Sequence, residues 1–263
     1  MINKTRGYIR LLLFFILILL FLGRYMLGSL FKGRDLKRGL KLRQKFAKVI
    51  SKVIGVELEI IGKPIEEAAI YISNHRSYYD PGAVSMNLIY GVIVAKAEIR
   101  DWPLIGYATD FIGIVFVDRD DPDSRRATRV TMAKALEDGL SVLIYPEGTT
   151  GDRPTSLDFL PGTFATAVKM NKPIVPVAIE FKYPEDAWIS STESFYSHYV
   201  KCFSKKKTPV KLRYGEPIFH EDVMTFKQMA QDWVDQNLLE MQKEFGGVDW
   251  PSTVDERIKR TGR

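Results

Sequence analysis

Cysteine occurs once in the 263 residues, as Cys202, so no internal disulfide can form and nothing marks an oxidising compartment. Histidine occurs three times, as His75, His198 and His220, which leaves too few ligands for a zinc site; no metal is expected. Acidic residues are almost missing from the N-terminal fifth. Residues 1–52 carry 13 Lys/Arg against Asp35 alone, a net +12, while the rest holds 25 basic and 31 acidic residues, a net −6. Charge is absent from Leu11–Gly23, and internal repeats and low-complexity segments are absent throughout. A composition of 46% hydrophobic and 27% charged residues excludes a disordered chain and a collagen-like repeat.

A strongly basic segment suits either a nucleic-acid backbone or an anionic lipid surface. Its neighbours decide. Leu11–Gly23 is apolar on all sides and bracketed by Arg10 and Arg24, with a second apolar patch at Tyr25–Phe31. The uncharged run is about 18–20 Å long as a helix, whereas crossing the ~30 Å hydrocarbon core takes roughly 20 residues. Tyr8–Leu27 reaches that length if Arg10 and Arg24 snorkel to opposite interfaces. The alternative is a tilted helix or hairpin in one leaflet. No small-residue cleavage site follows the run, against a secretory signal. Within Asp35–Ile54, Leu36, Leu40, Phe46, Ile50, Val53 and Ile54 fall at helical spacing among seven Lys/Arg, the pattern of a basic amphipathic helix on an anionic leaflet. Nucleic acid is disfavoured, because the basic segment serves the anchor and the body is acidic.

The body alternates β-rich runs with helical segments. Strands are expected at Val56–Ile61, Ala69–Ser73, Gly91–Ala95, Ile112–Val117, Ser141–Tyr145, Ile174–Ile179 and Val210–Tyr214. Helices are expected at Pro81–Leu88, Pro122–Asp138, Pro161–Met170 and Asp222–Phe245. In the second, Asp123 or Ser124 is the cap, and Val130, Ala133 and Leu136 share a face. The last carries Val223, Phe226, Met229, Trp233 and Leu238. The fold class is therefore α/β, a mostly buried central sheet flanked by helices, behind an N-terminal membrane-anchoring helical segment. The expected divisions are an anchor (1–34), a basic amphipathic helix (35–55), an α/β core (56–220) and a C-terminal helical extension with tail (221–263).

Three polar loops follow apolar strands, where α/β proteins place reactive groups. In Asn74–Asp80, His75 has a carboxylate a short loop away. Asp80 precedes Pro81, which reads as an N-cap with proline at the first helical position. Asp80 can orient the His75 ring and stabilise its imidazolium, as in a general-base dyad; equally, Asp80 merely caps a helix beside a surface histidine. Ser77 is the sole nearby hydroxyl nucleophile, with nothing to activate it. Arg119 ends the fourth strand and can fork onto phosphate. Tyr145–Gly151 offers backbone N–H groups, two hydroxyls and a carboxylate to an anionic or polar head group.

These blocks resemble the glycerolipid acyltransferases of the 1-acylglycerol-3-phosphate acyltransferase type, over about Val56–Tyr214. The family's N-H-x-x-x-x-D block appears as Asn74-His75 through Asp80. Its arginine-ending block appears as Gly113–Arg119, its P-E-G-T block as Pro146–Thr149, and its V-P block as Val175-Pro176; Phe159–Phe164 resembles the connecting segment. The resemblance implies transfer of a fatty acyl group from acyl-CoA or acyl carrier protein to a lysolipid hydroxyl, with no acyl-enzyme, cofactor or metal. It implies His75 as base with Asp80, and Arg119, Glu147, Gly148, Thr149 and Thr150 as acceptor-binding. The lone cysteine makes a catalytic body on the cytoplasmic face of the membrane the default, and acceptor and product would both lie in an anionic leaflet. One departure stands out: many members carry arginine where this chain has Thr150, which looks like branches acylating other lysolipids, including lyso-ornithine types. Trp188 and His198 fit that branch weakly, and Arg119, Arg125 or Arg153 can replace the lost charge. Lysophosphatidic acid leads as acceptor, ahead of another lysolipid, a catalytically silent lipid-binding protein and a thioesterase.

Overall fold

The computed structural model describes residues 4–101, 105–118, 120–187 and 193–250; of residues 101, 105–107 and 110 it describes the backbone alone. The seven β-rich runs form strands β1 (Val56–Ile61), β2 (Ile70–Ser73), β3 (Gly91–Lys96), β4 (Ile114–Val117), β5 (Ser141–Ile144), β6 (Ile174–Phe181) and β7 (Thr208–Tyr214). They join in one sheet, ordered β1-β7-β6-β2-β5-β3-β4. All pairings are parallel except β6 with β7.

Successive strand side chains point to opposite faces, and both faces are covered. Ile70, Ile72, Val92, Val94, Val142 and Ile174 join one apolar cluster with Met132 and Leu136 of α5 (Pro122–Glu137), Phe164 of α6 (Gly162–Lys169) and Phe226, Val234 and Leu238 of α8 (Val223–Glu244). Tyr71, Ile93, Leu143, Val175, Val177 and Ile179 join a second with Ala83 and Val84 of α3 (Asp80–Ser85). The strands of the middle, β6, β2 and β5, thus end side by side in a frame buried throughout except at Ile144.

Some local expectations are corrected. Asp121, not Asp123 or Ser124, caps α5, accepting from the Asp123 N–H at 2.9 Å. Val130 is 65% exposed, and the buried face of α5 runs through Thr128, Met132, Ala135 and Leu136. Met229 is exposed on α8. Ile112 closes a further helix, α4 (Ile105–Ile112), and Gly113 turns the chain into β4 with φ +71°. Another helix that the sequence pattern missed is α7 (Phe195–Ser204). Asp222 caps α8 as its position suggests, accepting from the Thr225 N–H. Residues 1–3 of the anchor, Trp188 and the tail beyond residue 250 lie outside the described residues.

The N-terminal region folds as α1 (Lys4–Lys32) and α2 (Leu36–Ile54). Asp35 caps α2 and Gly55, with φ +83°, closes it. Leu40, Ala47, Ile50 and Ile54 face inward, while Lys37, Lys41, Lys45, Lys48 and Lys52 face out. Helix α1 lies against the body along much of its length. Gly7 abuts Ser204 of α7, Phe14 packs on Phe46 and Phe203, Phe21 on Phe46, and Tyr25 stacks on Phe111 with centroids 3.9 Å apart. Arg10 does not reach outward: its guanidinium donates to the carbonyls of Phe203 and Lys205, at 3.1 and 2.6 Å, at the C-terminal end of α7. The other side of α1 leaves Leu12, Leu19, Leu20, Leu27 and Phe31 exposed.

Gly39 explains how α2 approaches α4 so closely. A Cβ there would lie 1.8 Å from the Phe111 carbonyl oxygen. Gly39→Ala is expected to destabilise the fold by about 1–3 kcal/mol despite alanine's better helix propensity. Thermal unfolding in detergent checks this, and an unchanged or raised midpoint would refute the close contact.

Candidate active site

The site is built where β2, β5 and β6 end together. The last residue of β2, Ser73, leads into Asn74, whose buried amide donates to the Ile179 carbonyl and accepts from the Ile179 N–H, both at 2.9 Å. This two-way bond fastens the start of the loop to β6. The loop then turns back on itself around one carboxylate. Asp80 is fully buried, and its Oδ2 accepts from His75 Nδ1 at 2.8 Å, from the Arg76 N–H at 2.6 Å and from the Ser77 N–H at 2.7 Å. Asp80 is therefore the first residue of α3 and a cap for its own preceding loop. Tyr79 occupies the N-cap position without a side-chain bond, correcting the expected N-cap role of Asp80.

His75 keeps 17% of its side chain exposed, so it opens to solvent at the mouth of the site. Its ring stacks on Tyr145, centroids 4.3 Å apart at 27°. With Nδ1 committed to Asp80, Nε2 is the ring nitrogen left for chemistry. Ser77 is buried; its Oγ accepts from the Tyr79 N–H.

The loop after β5 folds around a second carboxylate. Glu147 is fully buried; Oε1 accepts from the His75 N–H at 2.7 Å and Oε2 from the Leu157 N–H at 2.8 Å. Glu147 thus ties the His75 loop to its own loop, and both of its oxygens accept main-chain N–H groups. Gly148 makes the turn with φ +72°. Thr149 and Thr150 sit partly exposed, and the next N–H, of Gly151, donates to the His75 carbonyl at 2.7 Å. The structure therefore brings His75, Asp80, Glu147, Gly148, Thr149 and Thr150 into one place. Arg119 lies outside the described residues; its neighbour Asp118 follows β4, which is separated from β5 by β3.

Charged groups that the sequence pattern did not single out complete the site. Arg76 is fully buried and paired with Glu180 of β6, Nη2 to Oε2 at 3.1 Å. Burial pushes Glu180 above the usual carboxylate range while the Arg76 charge pulls it back. Elsewhere, His198 is buried against the Glu185 carbonyl, and burial lowers its basicity, leaving it unsuited to a solvent-facing role.

Residues 51–180 match the sequence profile of the Acyltransferase family. Lysophosphatidylcholine acyltransferase 1 of Rattus norvegicus is 36% identical over 121 residues, which cover 45% of this chain and 22% of that protein. Lyso-ornithine lipid O-acyltransferase of Pseudomonas aeruginosa is 28% identical over 62% of this chain and 64% of its own length. The 1-acyl-sn-glycerol-3-phosphate acyltransferase of Limnanthes alba is 28% identical over 74% and 68%. The chain thus spans about a fifth of the rat protein and about two thirds of the bacterial and plant ones. The crystal structure of the 1-acyl-sn-glycerophosphate acyltransferase of Thermotoga maritima superposes with a TM-score of 0.70 over 91% of this chain and 98% of that one, at 20% identity. The chain belongs to the acyltransferase family. Within it, the chain is similar to glycerolipid acyltransferases of the 1-acylglycerol-3-phosphate acyltransferase type.

Burial pushes the Glu147 carboxyl up to about 8, against the Arg76 guanidinium and the two N–H groups that pull it down. A folded value above that of the unfolded chain means that the native state holds the extra proton between about pH 4.5 and 8, so the stability linked to this group falls as pH rises through that window. Glu147→Gln is expected to flatten the slope. It also turns one acceptor into a donor facing an N–H, at a cost of about 1–3 kcal/mol. Unfolding midpoints of parent and variant from pH 5 to 8 test both statements; parallel curves would contradict them.

Proposed function

We propose that this protein is a membrane-associated O-acyltransferase that moves a fatty acyl group from acyl-CoA or acyl carrier protein to the hydroxyl of lysophosphatidic acid, making phosphatidic acid. The observation that carries the reading is the bond from His75 Nδ1 to a buried Asp80 carboxylate, with the other ring nitrogen left for substrate. Asp80 fixes the tautomer in which Nε2 accepts a proton. Nε2 takes the proton of the acceptor hydroxyl, the oxygen attacks the thioester carbonyl, and the tetrahedral intermediate expels the thiolate, which recovers the proton from the imidazolium. Such proton transfer supplies roughly 10²–10⁴-fold in rate, and holding both substrates together supplies more. Tyr145 stacks beneath the ring and helps to hold its plane.

Thr149 and Thr150 offer hydroxyls beside His75 to the acceptor head group, and Arg119 follows β4 as a further candidate. Arg153 is exposed three residues beyond Thr150 and replaces the guanidinium that many relatives carry at that position. Membrane association is supported by α1, whose apolar outer side is exposed, and by the outward lysines of α2. Because α1 is docked on α2 and α7 from Gly7 to Tyr25, the reading favours insertion into one leaflet over a free-standing span, with the body on the cytoplasmic face.

A second acceptor is favoured by a specific observation. Thr150 stands in place of arginine, and two similar proteins, from Pseudomonas aeruginosa and Rhodobacter capsulatus, are named lyso-ornithine lipid O-acyltransferases. The test offers labelled acyl-CoA and acyl carrier protein with lysophosphatidic acid, lysophosphatidylcholine and lyso-ornithine lipid, beside His75→Ala. Transfer to lysophosphatidic acid, lost by at least about a hundredfold in His75→Ala, is expected. Preference for lyso-ornithine lipid would move the acceptor, thiol release without any lysolipid would indicate a thioesterase, and no turnover would indicate a silent lipid binder.

A further inference from the structure

Arg76 is the largest fully buried side chain of the described residues, and it sits immediately after His75. A guanidinium presents its donors in a rigid planar fork, so it fixes several acceptors relative to one another. Here the fork closes on a turn. Nη1 donates to the Arg153 carbonyl at 2.7 Å, and Nη2 donates to the Pro154 carbonyl at 2.9 Å and to Glu180 Oε2 at 3.1 Å. The ring of Trp250 covers the guanidinium, 4.2 Å from its centroid. Gln242 of α8 repeats the grip, donating to the Pro154 carbonyl at 2.7 Å and to Glu180 Oε2 at 2.8 Å.

The turn held in this way is the continuation of the Thr149–Thr150 segment. Gly151 lies between the two, and a Cβ there would be 3.0 Å from Glu147 Oε2 and 3.4 Å from Arg76 Nη1. Arg76 also donates its own N–H to Asp80. One residue therefore touches the orienting carboxylate through its main chain and the head-group loop through its side chain. We infer that Arg76 is a positioning residue for acceptor binding, holding Thr149, Thr150 and Arg153 in register with His75 by clamping the 153–154 turn onto Glu180. The inference rests on the acyl-transfer reading above.

Removing the guanidinium alone leaves Glu180 buried without its counter-ion, which threatens folding whatever the role of Arg76. The informative protein is the double variant Arg76→Met/Glu180→Met, which replaces both ions of the pair by apolar groups of comparable reach. A merely structural ion pair would be made good by it. A clamp would not, because the carbonyls of Arg153 and Pro154 lose their Arg76 donors. The expected result is an unfolding midpoint near the parent's, an acceptor KM raised at least tenfold and a donor KM within twofold. Arg76→Lys, which keeps the charge and loses the fork, is expected to raise acceptor KM in the same way and serves if the double variant does not fold. A folded variant with the parent's acceptor KM would overturn the inference. Failure of the underlying reading shows separately, as absence of His75-dependent transfer in the parent enzyme, and would remove this role with it.

Discussion

A single buried oxygen organises this site. Oδ2 of Asp80 receives the imidazole of His75 and the main-chain N–H groups of Arg76 and Ser77, all within 2.8 Å. A carboxylate taken out of water has to be matched by donors, and here they come from the loop that it orients. The loop cannot relax without leaving the charge unmatched, and the charge cannot be lost without freeing the loop. Glu147 repeats the device across a longer reach, joining the His75 N–H to the Leu157 N–H. The two motif acids thus differ in place: one orients a ring at the mouth of the site, the other joins two loops inside the protein.

The rest of the molecule supplies a frame for these carboxylates. Parallel pairing sets the ends of β2, β5 and β6 side by side, so loops far apart in sequence meet within hydrogen-bond distance. The antiparallel β7 then brings the chain back beside β6, and α8 lays a polar row along the far loop. Asp235 accepts from the Ser156 N–H, Gln231 from the Phe159 N–H, and Gln242 donates to Pro154. The C-terminal helix is therefore more than a cover for apolar surface. On the opposite side, α2 connects the basic surface to the site: Ser51 bonds the Tyr79 hydroxyl at 2.8 Å, and Gln44 donates to the Met86 carbonyl at the end of α3.

Much of this was legible in the sequence, for physical reasons. The middle strands are short apolar runs because both their faces are covered, β1 and β7 alternate apolar with charged residues, and all seven strands appear within a few residues of their expected limits. His75 and Asp80 were legible because their contact is local, five residues apart. What escaped depends on contacts made only after folding. Glu147 looks like a turn carboxylate until the chain closes over it from Leu157 and Arg76. Arg76 carries no signal of its own in the motif, although Glu180, the lone acid in the apolar run Ile174–Phe181, points to a buried partner. Helix α7 was missed because Phe195–Ser204 mixes aromatics, serines and the β-branched Val200, with little helical preference, and its stability comes from packing under α1. The contacts of Arg10 escape for the same reason, since its carbonyl partners lie at the C-terminal end of α7.

The central claim is that Asp80 makes His75 a base by holding its ring. Asp80→Asn keeps the size of the side chain while removing the charge. The direct measurement is kcat for acyl transfer by this variant, with circular dichroism and the unfolding midpoint recorded on the same sample. The account predicts a folded protein whose kcat falls by roughly 10²–10⁴-fold, with the donor KM little changed. A folded Asp80→Asn protein that transfers acyl groups within tenfold of the parent would contradict it.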